Sequence, residues 1–203
     1  MPNIIKETCN GTLLYSIQDY MLTKREIECV GEINSKTVNS LIRQIRYLAS
    51  INEGEEITMF INSPGGEITS GLALYDVMKG VKCPIRTVCT GMAASMAAIL
   101  FASGDSRDIL EHGRVMIHDP QLMQGYGGST LTVKAVAEDM MRIREITCKI
   151  LAQHTGKSLE EIYDKTAKDT YFSADEAIEY GLADRIIPVS YTHLRAHETV
   201  LDL

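Results

Sequence analysis

The stretch Ile85–Ala102 constrains the fold of this chain more than any other. Its first part, the apolar run Ile85–Thr90, has the length and composition of a buried strand. The run meets Gly91 and passes into Met92-Ala93-Ala94-Ser95-Met96-Ala97-Ala98, residues small enough to let a helix lie close against a sheet. This predicts a strand-to-helix junction with one serine, Ser95, at the helix N-terminus. Free backbone N–H groups and the helix dipole favour negative charge there, which is where a hydrolase places a nucleophile and its oxyanion. Taken alone, the octapeptide fits tight helix–sheet packing better than it fits a nucleophile.

The flanking sequence repeats the same alternation. Residues 24–31 alternate and then turn, as a strand does. After Ser35, read as a helix N-cap, Val38, Leu41, Ile42, Ile45 and Leu48 keep helical spacing. Ile57–Ile61 reads as a strand ending at Asn62-Ser63-Pro64-Gly65-Gly66, and Ile68–Met78 as a helix closed by Gly80. Arg107–Leu110 and Arg114–Ile117 read as short strands around Glu111-His112-Gly113. Residues 121–130 form a glycine-rich loop before the longest helix, Leu131–His154, whose length suggests that part of it serves subunit contacts. Ser158–Lys165 and Ser173–Tyr180 open with capping boxes closed by Glu161 and Glu176. Strands alternating with helices predict an α/β fold with a largely parallel sheet.

Composition narrows the function. With 203 residues, 45% of them hydrophobic, the chain can build one ordinary core. A net charge of −7, no basic cluster with interleaved aromatics and no Trp argue against nucleic acid as a partner. The five cysteines (9, 29, 83, 89 and 148) form no CxxC pair, which argues against a zinc site or a disulfide framework and predicts reduced thiols in a cytoplasmic protein. The N-terminus has no apolar stretch of signal-peptide length, and the run Met92–Ala102 is too short to span a membrane. Gly156-Lys157-Ser158 ends like a phosphate loop, but Leu151 stands where its first glycine is required.

Three features bear on Ser95. Gly65-Gly66 lies between a strand and a helix, where adjacent glycines permit positive φ and an anion-binding nest; a plain turn fits equally well. His118 ends the apolar segment Val115-Met116-Ile117 just before Asp119-Pro120, placed to face a cleft. Asp169 precedes a predicted helix, where an acid is more often a cap or a solvated loop residue. Together they supply a nucleophile, a base, an orienting acid and oxyanion donors in the chain order Ser, His, Asp. That order differs from the α/β-hydrolase, chymotrypsin and subtilisin orders, and Ser95 lies in neither a GxSxG nor an SxxK motif.

Over about residues 13–187 the chain resembles the proteolytic subunit of the Clp protease, the ClpP family (peptidase family S14). The resemblance rests on Phe60-Ile61-Asn62-Ser63-Pro64-Gly65-Gly66, Gly91-Met92-Ala93-Ala94-Ser95-Met96, Met116-Ile117-His118, Ser173-Ala174-Asp175-Glu176-Ala177 and Glu179-Tyr180-Gly181-Leu182. Ser95 also follows Gly66 by 29 residues, a spacing that fits the family. The resemblance implies a crotonase-like ββα superhelix with a protruding handle helix. Residues 1–20 would be the axial-loop segment, 21–188 the peptidase domain, and 121–155 the handle within it. It implies a serine endopeptidase without cofactor or metal, assembled as heptameric rings into a tetradecamer. A Clp-type AAA+ unfoldase would feed it unfolded polypeptides. By the same resemblance Ser95 is the nucleophile, His118 the base and Asp169 the acid, and the Gly66 and Met96 amides form the oxyanion hole. Residues 189–203 resemble translated read-through of a sequencing adaptor and are read as a non-native or disordered tail, with no role for His193 or His197.

The chain departs from the family pattern in places. After Asp169-Thr170 the family's short charged insert is missing, and Thr170 runs directly into Tyr171-Phe172. Asp119 follows His118 where Gln is usual, and either acts on the imidazole or turns to the opposite side of the strand. Thr58 and Phe60 stand where Tyr is common in the pocket that receives the unfoldase. The alternatives are a latent or structural subunit acting in mixed rings, a phage-type capsid-maturation peptidase, and an acyl-CoA enzyme of the crotonase superfamily.

Overall fold

The computed structural model describes residues 3–8, 11–122 and 127–188. Among these, the chain forms β1 (Asn3–Thr8), β2 (Gly11–Ser16), α1 (Ile17–Thr23), β3 (Glu26–Val30), α2 (Ser35–Ile51), β4 (Ile57–Ser63), α3 (Ile68–Gly80) and β5 (Ile85–Ala94). There follow α4 (Met96–Ala102), β6 (Ser106–Leu110), β7 (Arg114–Ile117), α5 (Thr130–Thr155), α6 (Leu159–Thr166), β8 (Thr170–Phe172), α7 (Ala174–Tyr180) and β9 (Arg185–Ile187). The class is mixed α/β with a mostly parallel sheet, as the alternation of apolar segments predicts. The glycine-rich loop falls partly, at 123–126, and the tail from 189 wholly, outside the described residues.

The sheet runs β3-β4-β5-β6-β9 with all neighbours parallel. Its strands carry the residues of a sheet covered on its faces: Ile27, Cys29, Ile57, Met59, Ile61, Ile85, Val88, Cys89 and Ile109 are all buried. Helix α4 is buried along its whole length, from Met96 to Ala102. Its alanines let it pack tightly on β5, with α3 and α5 against it. Amphipathic α2 buries Val38, Leu41, Ile45 and Leu48, four of the five positions its periodicity marks. Asn34, not Ser35, caps it: the Asn34 side chain accepts from the Lys36 and Thr37 amides, and the Thr37 hydroxyl accepts from the Asn34 amide.

β5 is longer than its apolar run. It continues through Gly91 to Ala94 because it changes partners there. Arg86–Cys89 pair with β6, whereas Met92–Ala94 pair with β7. Its register with β4 jumps between Ile61↔Cys89 and Ser63↔Ala93. Asn62 covers the break: its side-chain carbonyl accepts the Met92 amide at 3.1 Å, and an added Cβ at Gly91 would meet that carbonyl at 2.7 Å. β7 in turn pairs antiparallel with the three-residue β8. The sheet thus forks at β5, and the fork's second arm is β7–β8.

β1 and β2 form a separate antiparallel hairpin. Arg25, between α1 and β3, has φ +59 and a buried guanidinium that donates to the carbonyls of Leu48, Asn52, Glu55 and Glu56. It fastens the end of α2 and the following turn to the sheet. Helix α5 is buried only at Thr147, Cys148, Ile150 and Leu151; Leu131, Val133 and Met141, in its first half, are exposed.

Candidate active site

The register of the fork assembles a site. Ala94 pairs with Met116 in parallel, so Ser95 stands just beyond β5 where His118 stands just beyond β7. Ile117 pairs with Thr170 in antiparallel, so Asp169, just before β8, comes to the same end. The Ser95 amide donates to the Met116 carbonyl at 2.8 Å and extends that pairing by one bond. Three residues separated by 23 and 51 positions in the chain therefore meet because three strand ends coincide.

Their side chains form one hydrogen-bonded row. Ser95 Oγ lies 2.8 Å from His118 Nε2, and His118 Nδ1 lies 3.2 Å from Asp169 Oδ1. A carboxylate only accepts, so the imidazole proton belongs on Nδ1. Nε2 is then left as the acceptor for the Ser95 hydroxyl. This tautomer can take a proton from a hydroxyl as the hydroxyl attacks, and the carboxylate offsets the positive charge that results.

Ser95 has φ +56 and ψ −123, a conformation rare for any residue with a Cβ. Such strain persists only where the surroundings over-determine it. Here the chain turns from strand to helix within one residue and presents Oγ at the corner. Gly65 permits the turn's neighbour to come close: it has φ +96, and a Cβ there would sit 2.7 Å from both Ala94 O and Ser95 Cβ. The Asn62–Gly66 turn is held by the buried Ser63 hydroxyl, which accepts the Gly65 amide at 3.1 Å. It is also held by a bridge to Ile33, whose amide donates to Gly65 O and whose carbonyl accepts from Glu67.

The Gly66 amide donates to no acceptor among the described residues, and the Met96 amide, first in α4, has no intrahelical acceptor. Both belong to segments packed against each other at Gly65 and Ser95. The Met96 side chain turns into the core, where Gly71 of α3 makes room: a Cβ on Gly71 would meet Met96 Sδ at 2.7 Å.

Asp119 does not face the imidazole. Its Oδ2 accepts from Arg144 Nε of α5 at 2.7 Å, and its amide donates to Thr166 O at 2.7 Å. The strand's alternation puts residue 119 on the side opposite 118. The cysteines among the described residues offer no rival nucleophile. All four are free and buried. Burial pushes the thiols of Cys29 and Cys89 up to about 11 and raises that of Cys148, so they stay protonated and unreactive near neutrality. No helix among the described residues is long and apolar enough to cross a membrane.

The structure brings Ser95, His118, Asp169, Gly66 and Met96 to one end of the fork. Gly71 and Arg144, which support that end, carry no local signal in the sequence, and Asn62 is legible there only as the start of a turn. The support each gives is recognised only through a partner on another element. A family model described as Clp protease matches residues 9–190, nearly the whole chain.

Proposed function

The chain belongs to the Clp protease family, and from that premise we propose that it is a serine endopeptidase with Ser95 as nucleophile. The observation that carries the reading is the row Ser95 Oγ–His118 Nε2, His118 Nδ1–Asp169 Oδ1 at 2.8 and 3.2 Å. Ser95 Oγ attacks the scissile carbonyl while His118 Nε2 takes its proton. The carbonyl oxygen, now negative, accepts from the Gly66 and Met96 amides. His118 returns the proton to the leaving amine, and an acyl-enzyme remains on Ser95. Water repeats the sequence with His118 as base and frees the acid. Each oxyanion donor contributes about 3 kcal/mol to such a step. The chemistry requires no cofactor or metal.

The substrates are unfolded polypeptides, cut inside a chamber of stacked heptameric rings and delivered by an ATP-dependent Clp unfoldase. The exposed apolar residues along the first half of α5 support its reading as a handle that meets another copy. A second reading, a subunit latent until assembled, is favoured by one observation. The Asp169 side chain is 51% exposed and held to the row by a single contact.

A fluorophosphonate probe tests the first reading: it labels Ser95 in the native protein and leaves the Ser95→Ala variant unlabelled. Absence of labelling in both the isolated chain and its assembled form overturns it. Labelling only after assembly selects the second reading.

A further inference from the structure

We propose that Arg144 is a positioning residue for the His118–Asp169 pair, an inference that rests on the peptidase reading above. Arg144 lies on α5 where its exposed first half meets its buried end. From there its guanidinium reaches both segments that hold the pair. Nε donates to Asp119 Oδ2 at 2.7 Å, and Asp119 is the residue next to His118. Nη2 donates to Tyr163 O at 3.3 Å, and the guanidinium lies over the Tyr163 ring at 4.2 Å. Tyr163 belongs to α6, the helix that leads into Asp169.

The two segments are also joined directly. The Asp119 amide donates to Thr166 O at 2.7 Å, at the last residue of α6. From Thr166 a short turn reaches Asp169. The Thr170 hydroxyl closes it by donating to Lys165 O at 2.7 Å. The position of Asp169 relative to His118 is therefore set by the Ile117–Thr170 pairing of β7 with β8 together with how the 163–170 segment docks on residue 119. Beside the strand pairing, Arg144 and the Asp119–Thr166 bond are polar ties of that docking.

The carboxylate of Asp119 makes Arg144 decisive. Its Oδ1 is buried without a hydrogen-bond partner, so the Arg144 guanidinium is the group that neutralises it among the described residues. Without that cation a partly buried carboxylate next to His118 is left unpaired. It must swing toward water, and the strand end moves with it. A residue whose loss opens the base–acid hydrogen bond acts on turnover and leaves substrate binding alone.

The experiment compares Arg144→Met, Arg144→Lys and the Asp119→Ala/Arg144→Met double variant with the wild-type chain on a fluorogenic peptide, after circular dichroism shows each to be folded. A displacement well short of 1 Å is expected to lower kcat about tenfold in Arg144→Met, with KM unchanged. Arg144→Lys, which keeps the charge on Asp119, recovers to within about threefold, and the double variant is no worse than Arg144→Met because the unpaired carboxylate is gone. Full kcat in Arg144→Met, a loss confined to KM, no recovery with Lys, or losses that multiply in the double variant would each overturn the proposal.

A crystal structure of Arg144→Met gives a readout independent of turnover. The His118 Nδ1–Asp169 Oδ1 separation opens beyond hydrogen-bond reach if Arg144 positions the pair; an unchanged 3.2 Å defeats the inference. If wild-type protein neither labels at Ser95 nor cleaves peptide, the peptidase reading fails, and this separation still decides the role of Arg144.

Discussion

The two ends of the row through His118 are built to different standards. Ser95 sits where β4, β5 and β7 converge. Its amide is bonded to Met116, its backbone is held at φ +56, and Gly65 is packed against its Cβ. Asp169 sits on a turn between a helix and a three-residue strand, with its side chain half exposed and one 3.2 Å contact to the imidazole. Three converging strands fix the nucleophile, whereas the acid rests on the pairing of one three-residue strand and the docking of the short segment before it. Damage to the first should disturb a rigid corner. Damage to the second should cost less, because an exposed carboxylate is screened and water replaces part of what it does.

The largest effect is expected at Gly65. Alanine there would have to adopt φ +96 with its Cβ 2.7 Å from Ala94 O and Ser95 Cβ, so the Ser95–Met96 peptide must shift. A displacement of the nucleophile together with an oxyanion donor lowers kcat/KM by about a thousandfold or more. The strain lowers the Tm by roughly 5 °C. Gly80→Ala is the control, since nothing lies within 4 Å of an added Cβ at Gly80. If Gly65→Ala keeps activity within tenfold of that control, the corner is not as tightly specified as the packing implies.

This contrast also marks what could be read from the sequence. Segments with their own period or cap were legible: the α2 face of Val38, Leu41, Ile45 and Leu48, and the capping boxes Ser158–Glu161 and Ser173–Glu176. Ser95 was legible as a strand-to-helix junction because an apolar run meets Gly91 and then small residues, although those residues alone fitted packing better than a nucleophile. Features made by distant partners were not. β5 runs on to Ala94 only because β7 is there to pair with it. β8 and β9 have three residues each and no period. The β1–β2 hairpin and α1 were passed over although Asn10-Gly11 is a hairpin signal and Ser16-Ile17-Gln18-Asp19 a helix start. The cap at Asn34 was displaced by one residue because Asn34 and Ser35 are both good caps. The direction of Asp119 was open until Arg144, 25 positions away, settled it. The resemblance to a known family supplied Asp169; its residue type and position alone would have suggested a cap.

Asp169→Asn sharpens the acid side of the comparison. A buried triad acid changed to its amide costs about 10⁴ in kcat, because the amide holds the imidazole in the wrong tautomer. At this half-exposed position the new amide is free to rotate its carbonyl toward His118 Nδ1. The expected loss is therefore only about 10 to 100-fold, in kcat with KM unchanged. A loss near 10⁴ would mean that Asp169 is gripped far more tightly in the working particle than in the single chain. No loss would remove Asp169 from the mechanism.

The smallest effect is expected at Asn62, on the nucleophile's side but one step back from it. Its carbonyl accepts the Met92 amide at the point where β5 leaves β4 for β7. Asn62→Ala removes that acceptor from an amide that water can still reach, a cost of about 0.5 to 1 kcal/mol seen as a Tm lowered by a few degrees at most. Activity should fall only about threefold, since the β5–β7 pairs Met92↔Arg114, Ala93↔Val115 and Ala94↔Met116 still carry Ser95 to its place. A larger loss, comparable with Gly65→Ala, would show that the fork depends on this one side chain. Ser95 would then be held by a single bond at the branch of the sheet, and the contrast with Asp169 would narrow to a difference in exposure alone.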